Sequence, residues 1–350
     1  MRLLVKTLPG FSDFAVKEIK GLLGRDSSFH EVLKDYIVVE SRNITTDVTL
    51  LVLFSETIQT FFLEIGGGEV SNPEDAYQVA LTIPWHEYWP PNLTFAVRPV
   101  VKDPSLIKAL GKNIGQAIVD TFVREKQIKP KVDLSNPDIE IMAWLINNNI
   151  ILALNLCGEV LNSDEEILAR SMLIATEWNK KDSLGEIFCA GIGISALRYA
   201  LNEARRERLS RRAFIKFNFI DRKTILDLVR KNWRKNISIE ISCYVRKERL
   251  QIVREEMPEI RKLKLKTVGE LVDGNEKILV SNFLSALEKK TEQIKWSEKL
   301  SEILIENQNW DTLTLLIRED VIDKIILNNK SFERDIIFKG INAKMVKYIH

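Results

Sequence analysis

Three cysteines and three histidines in a chain of 350 residues exclude several classes of protein at once. Cys157, Cys189 and Cys243 are odd in number and far apart, so they imply neither a disulfide framework nor a zinc cluster, and each is expected to be a small buried hydrophobe. His30, His86 and His350 lack metal-ligand spacing, and no metal is expected. No apolar run approaches the roughly 18 residues that a membrane span needs. Met1-Arg-Leu-Leu-Val-Lys6 meets charge too early for a signal peptide, so a cytoplasmic protein without a membrane partner is expected. There is no low-complexity tract. What remains is an ordinary globular composition, 45% hydrophobic and 29% charged, long enough for two or three domains of about 100–200 residues each.

The net charge of +2 conceals an asymmetry. Residues 1–165 sum to −7, residues 166–266 to +11 and the remainder to −2. A polyanion would be drawn to the middle, where Arg205, Arg206, Arg208, Arg211, Arg212 and Lys216 cluster, followed by Arg261, Lys262, Lys264 and Lys266. The same charges also suit a solvated helix and loop.

Along the chain, Leu3–Leu8 reads as a strand, Ser12 to Gly24 as a helix, Tyr36–Glu40 as a strand, Thr46–Leu53 as a helix and Ile58–Ile65 as a strand. Gly66-Gly-Gly68 then reads as a flexible joint. A second α+β stretch opens at Asn72-Pro-Glu-Asp75. It holds the strand Leu93–Pro99, a long amphipathic helix from Ser105 to Lys126, and two strands flanking Asn147-Asn-Asn149, a hairpin turn by composition. From Ser163 onward helices and strands alternate, with strands expected at Ala213–Ile220, Ile237–Tyr244 and Lys277–Asn282 and a helix at Asp221–Arg234. Such alternation implies a largely parallel sheet. The apolar residues near the C-terminus, around Asn328-Asn-Lys330, read as a closing hairpin.

Within that last region, Glu186-Ile-Phe-Cys-Ala-Gly-Ile-Gly-Ile-Ser195 reads as a strand, a glycine turn and a helix. This is where an α/β sheet offers helix N–H groups to a nucleotide-like ligand. The loop lacks the third glycine of a dinucleotide fingerprint and the Gly-Lys-Ser/Thr of a phosphate loop. Two glycines can also serve only to turn a strand tightly into a helix.

Phe95-Ala-Val-Arg98, Val132-Asp-Leu-Ser-Asn-Pro-Asp-Ile-Glu140 and Leu154-Asn-Leu-Cys-Gly-Glu-Val-Leu161 resemble the signature blocks of a THUMP domain. The chain as a whole resembles the THUMP-containing S-adenosylmethionine-dependent RNA methyltransferases that modify N2 of guanosine. The resemblance implies an α+β N-terminal ferredoxin-like unit over residues 1–65, a THUMP domain over 66–162, and an α/β Rossmann-like methyltransferase domain over 163–350. It also implies binding to tRNA or another structured RNA. Candidate phosphate contacts are Arg98, Lys102, Lys108 and Lys112 in the THUMP part, with Arg205, Arg206, Arg211 and Arg212 on the other side.

The methyltransferase motifs depart from the family together. Its Asp-Pro-x-Cys-Gly-Ser-Gly-Thr cofactor loop stands here as Ile187-Phe-Cys-Ala-Gly-Ile-Gly-Ile194, its ribose-binding Asp-x-Asp as Phe219-Ile-Asp221, and its catalytic Asn-Pro-Pro-Tyr as Asn282-Phe-Leu-Ser285. Two readings result. In one, the domain is catalytically degenerate and the chain is an RNA-binding protein or the partner subunit of an active paralogous methyltransferase. In the other, it is an active tRNA guanine-N2 methyltransferase. Ala190, Gly191 and Gly193 would then hold S-adenosylmethionine, Asp221 the ribose and Asn282 the guanine amine, with Phe283 stacking on the flipped base.

Overall fold

A computed structural model of the chain describes residues 1–350 other than 25–29, 34–35, 236, 257–262, 288, 308, 326 and 328. Arg261, Lys262 and Asn328, singled out above, lie outside the described residues. The fold divides into two compact units. The first comprises residues 1–6, 20–161 and 205–231, and the second residues 7–19, 162–204 and 232–350.

The first unit carries one seven-stranded sheet in the order β2-β3-β1-β4-β7-β6-β5. Its strands are β1 (Arg2–Lys6), β2 (His30–Leu33), β3 (Tyr36–Glu40), β4 (Thr60–Glu69), β5 (Phe95–Val100), β6 (Ile139–Ile146) and β7 (Asn149–Asn155). Its helices are α2 (Ile44–Phe54), α3 (Asp75–Leu81), α4 (Trp85–Tyr88) and α5 (Ile107–Lys126), while most of α1 (Ser12–Leu23) belongs to the second unit. All neighbours pair antiparallel except β5 and β6. The β6–β7 turn is the asparagine hairpin expected from composition, with Asn147 and Asn148 both left-handed (φ 46° and 64°), as a tight primed turn requires.

Gly66-Gly-Gly68 is not a joint; it lies inside β4, paired with Ile150–Leu152 of β7. A Cβ on Gly67 would stand 2.3 Å from the Ile150 carbonyl oxygen, and one on Gly66 would stand 2.9 Å from Ile83 Cδ1. Close backbone approach, rather than flexibility, selects glycine here.

The second unit begins with α6 (Asp164–Ala175), which Ser163 and Glu166 open as a reciprocal capping box. β8 (Leu184–Ile187), the glycine turn and α7 (Ile192–Leu201) follow. Residues 205–231 belong to the first unit. There the expected strand Ala213–Ile220 is instead a short 3-10 turn at Ala213–Lys216. Its backbone is already engaged by the first unit, with Ala213 and Phe214 N–H donating to the Cys157 and Leu156 carbonyls, and the Phe217 and Phe219 rings stack. The α8 helix (Arg222–Arg230) closes that excursion.

The remaining elements are β9 (Ile241–Val245), α9 (Leu250–Glu256), β10 (Lys264–Thr267), β11 (Ile278–Asn282), α10 (Phe283–Ala286), α11 (Lys290–Glu306), β12 (Thr312–Arg318), β13 (Lys330–Phe338) and β14 (Ile341–Ile349). The second sheet runs β10-β9-β8-β11-β12-β14-β13, parallel through β12 and closed by an antiparallel hairpin. That hairpin turns at Lys339-Gly340, both left-handed, rather than around Asn328-Asn-Lys330. β8 is flanked by β9 and β11, so the chain leaves it in one direction and later returns on the other side. The glycine turn therefore sits at the switch point where such sheets open a ligand crevice. No helix of the described residues is long and apolar enough to cross a membrane.

Candidate cofactor site and RNA-binding surface

The carboxyl ends of β8, β9 and β11 define the candidate cofactor site. Phe188, Cys189 and Gly191, just beyond β8, are all left-handed (φ 74°, 48° and 94°). Only Gly191 adopts this without strain, and it serves as the N-cap of α7. Phe188 stands where the family has proline, whose ring fixes φ near −65°. The loop therefore follows a different path from the one a family proline would allow.

That path delivers the N–H groups at the start of α7 to the protein's own carboxylate. Glu186, on β8 and 1% exposed, accepts hydrogen bonds from Ala190 N (2.5 Å), Ile192 N (2.9 Å) and Gly193 N (2.9 Å). The Cys243 thiol donates to its Oε2 across 3.2 Å. Burial pushes the Glu186 carboxyl above its usual range, against the opposing pull of those N–H donors. Cys243 is pushed well up by its contact with Cys189 and by burial, and Cys189 is pushed up by burial. Gly193 is needed for packing: a Cβ there would meet Glu186 Oε2 at 3.1 Å and Ile241 Cγ2 at 3.2 Å.

The residues in the catalytic position are built into the interior. Asn282 is 1% exposed. Its Oδ1 accepts from Ser285 N (3.1 Å) and its Nδ2 donates to Ser285 Oγ (2.8 Å), so it caps α10. Phe283 is fully buried, its ring edge-on to Phe188 at 5.4 Å, and Phe188 in turn meets Trp296 at 5.1 Å.

Asp221 belongs to the first unit, where its carboxylate caps α8 through Lys223 N and Thr224 N. The strand beside β8 is β9, paired in parallel, and the residue after it is Arg246, placed 3.8 Å from Glu292. A cation thus stands at the end of the strand beside β8. Sequence reading missed this because it took residues 213–220 for the neighbouring strand. The cavity at these strand ends measures about 130 Å³ and is lined by Phe188, Cys189, Arg246, Arg249 and Ser285 among others. Sites for small molecules of cofactor size usually exceed about 300 Å³.

In the first unit the THUMP-like blocks hold one another together. Arg98 donates from Nε to Glu140 (2.9 Å) and from Nη2 to the Leu134 carbonyl (2.8 Å). The other Glu140 oxygen accepts from Asn155 (2.9 Å). Asp133 caps the turn through Ser135 N and Asn136 N. Asp138 binds Thr94 N and Oγ1, and Lys216 Nζ at 2.8 Å.

The Lys216 ammonium holds the Asp138 carboxyl below the usual carboxylate range. A lowered folded-state pKa adds stability above the unfolded value of about 4, and that stability is lost as pH falls through the lowered value. Thermal unfolding should accordingly separate wild type from Asp138→Asn at about pH 7, with a narrower gap at about pH 3. An equal gap at both would show that the ion pair contributes nothing.

Of the remaining phosphate-contact candidates, Lys102, Lys108 and Lys112 are exposed. Arg205 is half-buried beside Glu207, and Arg206 is exposed and donates to the Lys231 carbonyl. Arg212 is buried, donating to the Arg208 and Glu159 carbonyls at 3.0 and 2.7 Å, so its charge is spent inside the unit. The Arg211 side chain lies outside the described residues. Exposed Lys126, Lys129 and Lys131, at and beyond the end of α5, were overlooked. The signal was present in Lys126-Gln-Ile-Lys-Pro-Lys131, three cations in six residues.

Comparison with known proteins bears on both units. The THUMP domain family matches residues 70–155. The chain is 26% identical over 203 residues to the ribosomal RNA large subunit methyltransferase K/L of Buchnera aphidicola subsp. Schizaphis graminum, covering 53% of this chain and 28% of that protein. It is 23% identical over 197 residues to the tRNA (guanine(6)-N2)-methyltransferase of Methanocaldococcus jannaschii, covering 52% and 51%. The chain's matches thus span about half or less of these curated relatives. In fold it is similar over 99% of its length to SMU.472, designated a methyltransferase and solved with SAH (TM-score 0.81, 16% identity, 97% of that chain). It is likewise similar to TrmN from Thermus thermophilus (TM-score 0.72, 12% identity, 98% of that chain). Residues 70–155 are a THUMP domain, and the chain carrying it has a methyltransferase-like α/β fold and sequence homology to tRNA and ribosomal RNA methyltransferases.

Proposed function

We propose that this protein binds structured RNA, with tRNA the leading class, through its THUMP domain and basic surface, and that its methyltransferase-type unit no longer transfers methyl groups. The THUMP match and the RNA-methyltransferase relatives support the RNA partner. The observation that carries the loss of catalysis is the burial of Asn282 and Phe283. A guanine amine must reach the asparagine, and a flipped base must reach the ring, before either can position a methyl acceptor. The Glu186 carboxylate on the loop N–H groups and Arg246 at the end of β9 support the same reading. Both disfavour the amino-acid and ribose ends of S-adenosylmethionine. Lys102, Lys108, Lys112, Lys126, Lys129 and Lys131 are the cations we assign to phosphate contact. A supporting role beside an active paralogous methyltransferase, in the cytoplasm, is compatible with this function.

Calorimetric titration of the full chain with S-adenosylmethionine and with S-adenosylhomocysteine should give no binding heat. Filter binding of tRNA should saturate and weaken steeply with salt. Saturable heat with either compound, abolished by Gly191→Trp, would restore the active-enzyme reading. Absence of tRNA retention at low salt would remove the RNA partner.

A further inference from the structure

Beyond any role in RNA binding, the second unit gathers an unusual set of donors beneath the glycine turn. The parallel register sets Glu186 of β8 directly opposite Cys243 of β9, and cross-strand partners in register project to the same face of a sheet. Cys189, two residues beyond β8, joins them through a turn in which Phe188 and Cys189 both take left-handed backbone. For residues other than glycine such a conformation costs of order 1–3 kcal/mol each and persists where the surroundings impose it. The carboxylate oxygen and the two sulfurs lie within 4.8 Å of one another, and all three residues are buried. The Glu186 carboxylate, held by three loop N–H groups, thus faces two sulfurs at once.

We propose that Glu186, Cys189 and Cys243 bind a single thiophilic divalent cation of the zinc class. Tetrahedral zinc with Zn–S of about 2.3 Å and Zn–O of about 2.0–2.2 Å places its donors roughly 3.5–3.8 Å apart. The Glu186–Cys243 separation of 3.2 Å and the 4.8 Å limit on the whole set require only sub-ångström to ångström adjustment. Binding replaces the two thiol protons, which leave to solvent, with two metal–sulfur bonds. The Glu186 Oε2 position that now accepts the Cys243 thiol hydrogen turns to the metal. The N–H groups of Ala190, Ile192 and Gly193 stay on the carboxylate and fix its orientation, as the outer hydrogen bonds of metal ligands do.

Two thiolates and a carboxylate around a divalent cation leave one negative charge, and it sits at the N-terminus of α7, where the helix dipole favours it. Cys189 also lines the cavity at the strand ends. The cavity supplies the route in and room for a water as fourth ligand.

The test is a titration of the chelator-treated full chain with cobalt(II). A thiolate-to-cobalt charge-transfer band should grow to one equivalent and be displaced by zinc. The band should be lost in Cys189→Ser and in Cys243→Ser, each checked for folding by circular dichroism. It should be retained in Cys157→Ser, whose buried cysteine belongs to the first unit. The wild type decides the matter even if a variant misfolds: zinc should shield two of its three thiols from a thiol reagent. A wild type with no thiolate–cobalt band, or a band that survives in folded Cys189→Ser, would overturn the proposal.

Discussion

Glu18→Ala should destabilise the second unit by about 3–5 kcal/mol, the usual cost of stripping one partner from a buried ion pair. Arg170 Nε lies 2.7 Å from Glu18 Oε1, with side-chain exposures of 7% and 2%. The Arg170 guanidinium also lies over the Tyr199 ring, 4.0 Å from its centroid. One cation thereby ties α1, α6 and α7 together around the apolar cluster of Phe11, Phe14, Leu168 and Met172. Without Glu18 its charge stays buried, facing the Tyr199 ring. Removing both charges costs less than removing one, because the desolvation penalty leaves with them. Glu18→Leu combined with Arg170→Met should therefore recover most of the loss, and urea denaturation of the four proteins in the cycle measures the coupling. A single-variant loss under about 1 kcal/mol would mean the pair is hydrated and behaves as a surface bridge.

Local chemistry was legible in the sequence wherever one short segment decides the structure. The asparagine hairpin, the Ser163 start of α6, the strand at Tyr36–Glu40 and the glycine turn all follow from residues within a few positions of each other. What stayed hidden depends on pairing between distant segments. Gly66-Gly-Gly68 has the composition of a joint, yet the Ile150 carbonyl opposite requires glycine inside a strand. Phe214, Phe217 and Phe219 look like strand residues, but the Phe214 and Asn218 N–H groups are engaged by the Leu156 and Tyr88 carbonyls of the first unit. That one misplaced strand hid β9 as the parallel neighbour of β8 and left Arg246, the residue after it, unnoticed. The Glu186–Cys243 register was hidden for the same reason, since the spacing of cysteines in sequence says nothing about which strands lie side by side.

Phe283 offers the sharpest separation of the two functional readings, because a base-stacking residue and a core residue respond to truncation in opposite ways. A ring that stacks on a flipped base projects into the site, so Phe283→Ala would leave stability nearly unchanged and abolish methyl transfer. In this fold the ring is fully buried and packs on Phe188. Its neighbours in the cluster include Leu279, Leu287, Leu300 and Leu315. Truncation there removes buried apolar surface and leaves a cavity, at about 3–5 kcal/mol for Phe→Ala. The edge-to-face contact contributes about 0.5–1.5 kcal/mol of that, which a cycle with Phe188→Leu isolates. Phe283→Leu keeps most of the volume and should cost much less. We expect urea midpoints to fall in the order wild type, Phe283→Leu, Phe283→Ala, with tRNA affinity of the folded fraction unchanged in all three. Unaltered stability in Phe283→Ala together with weakened RNA binding would put the ring in a base-binding site and return the protein to the active methyltransferases.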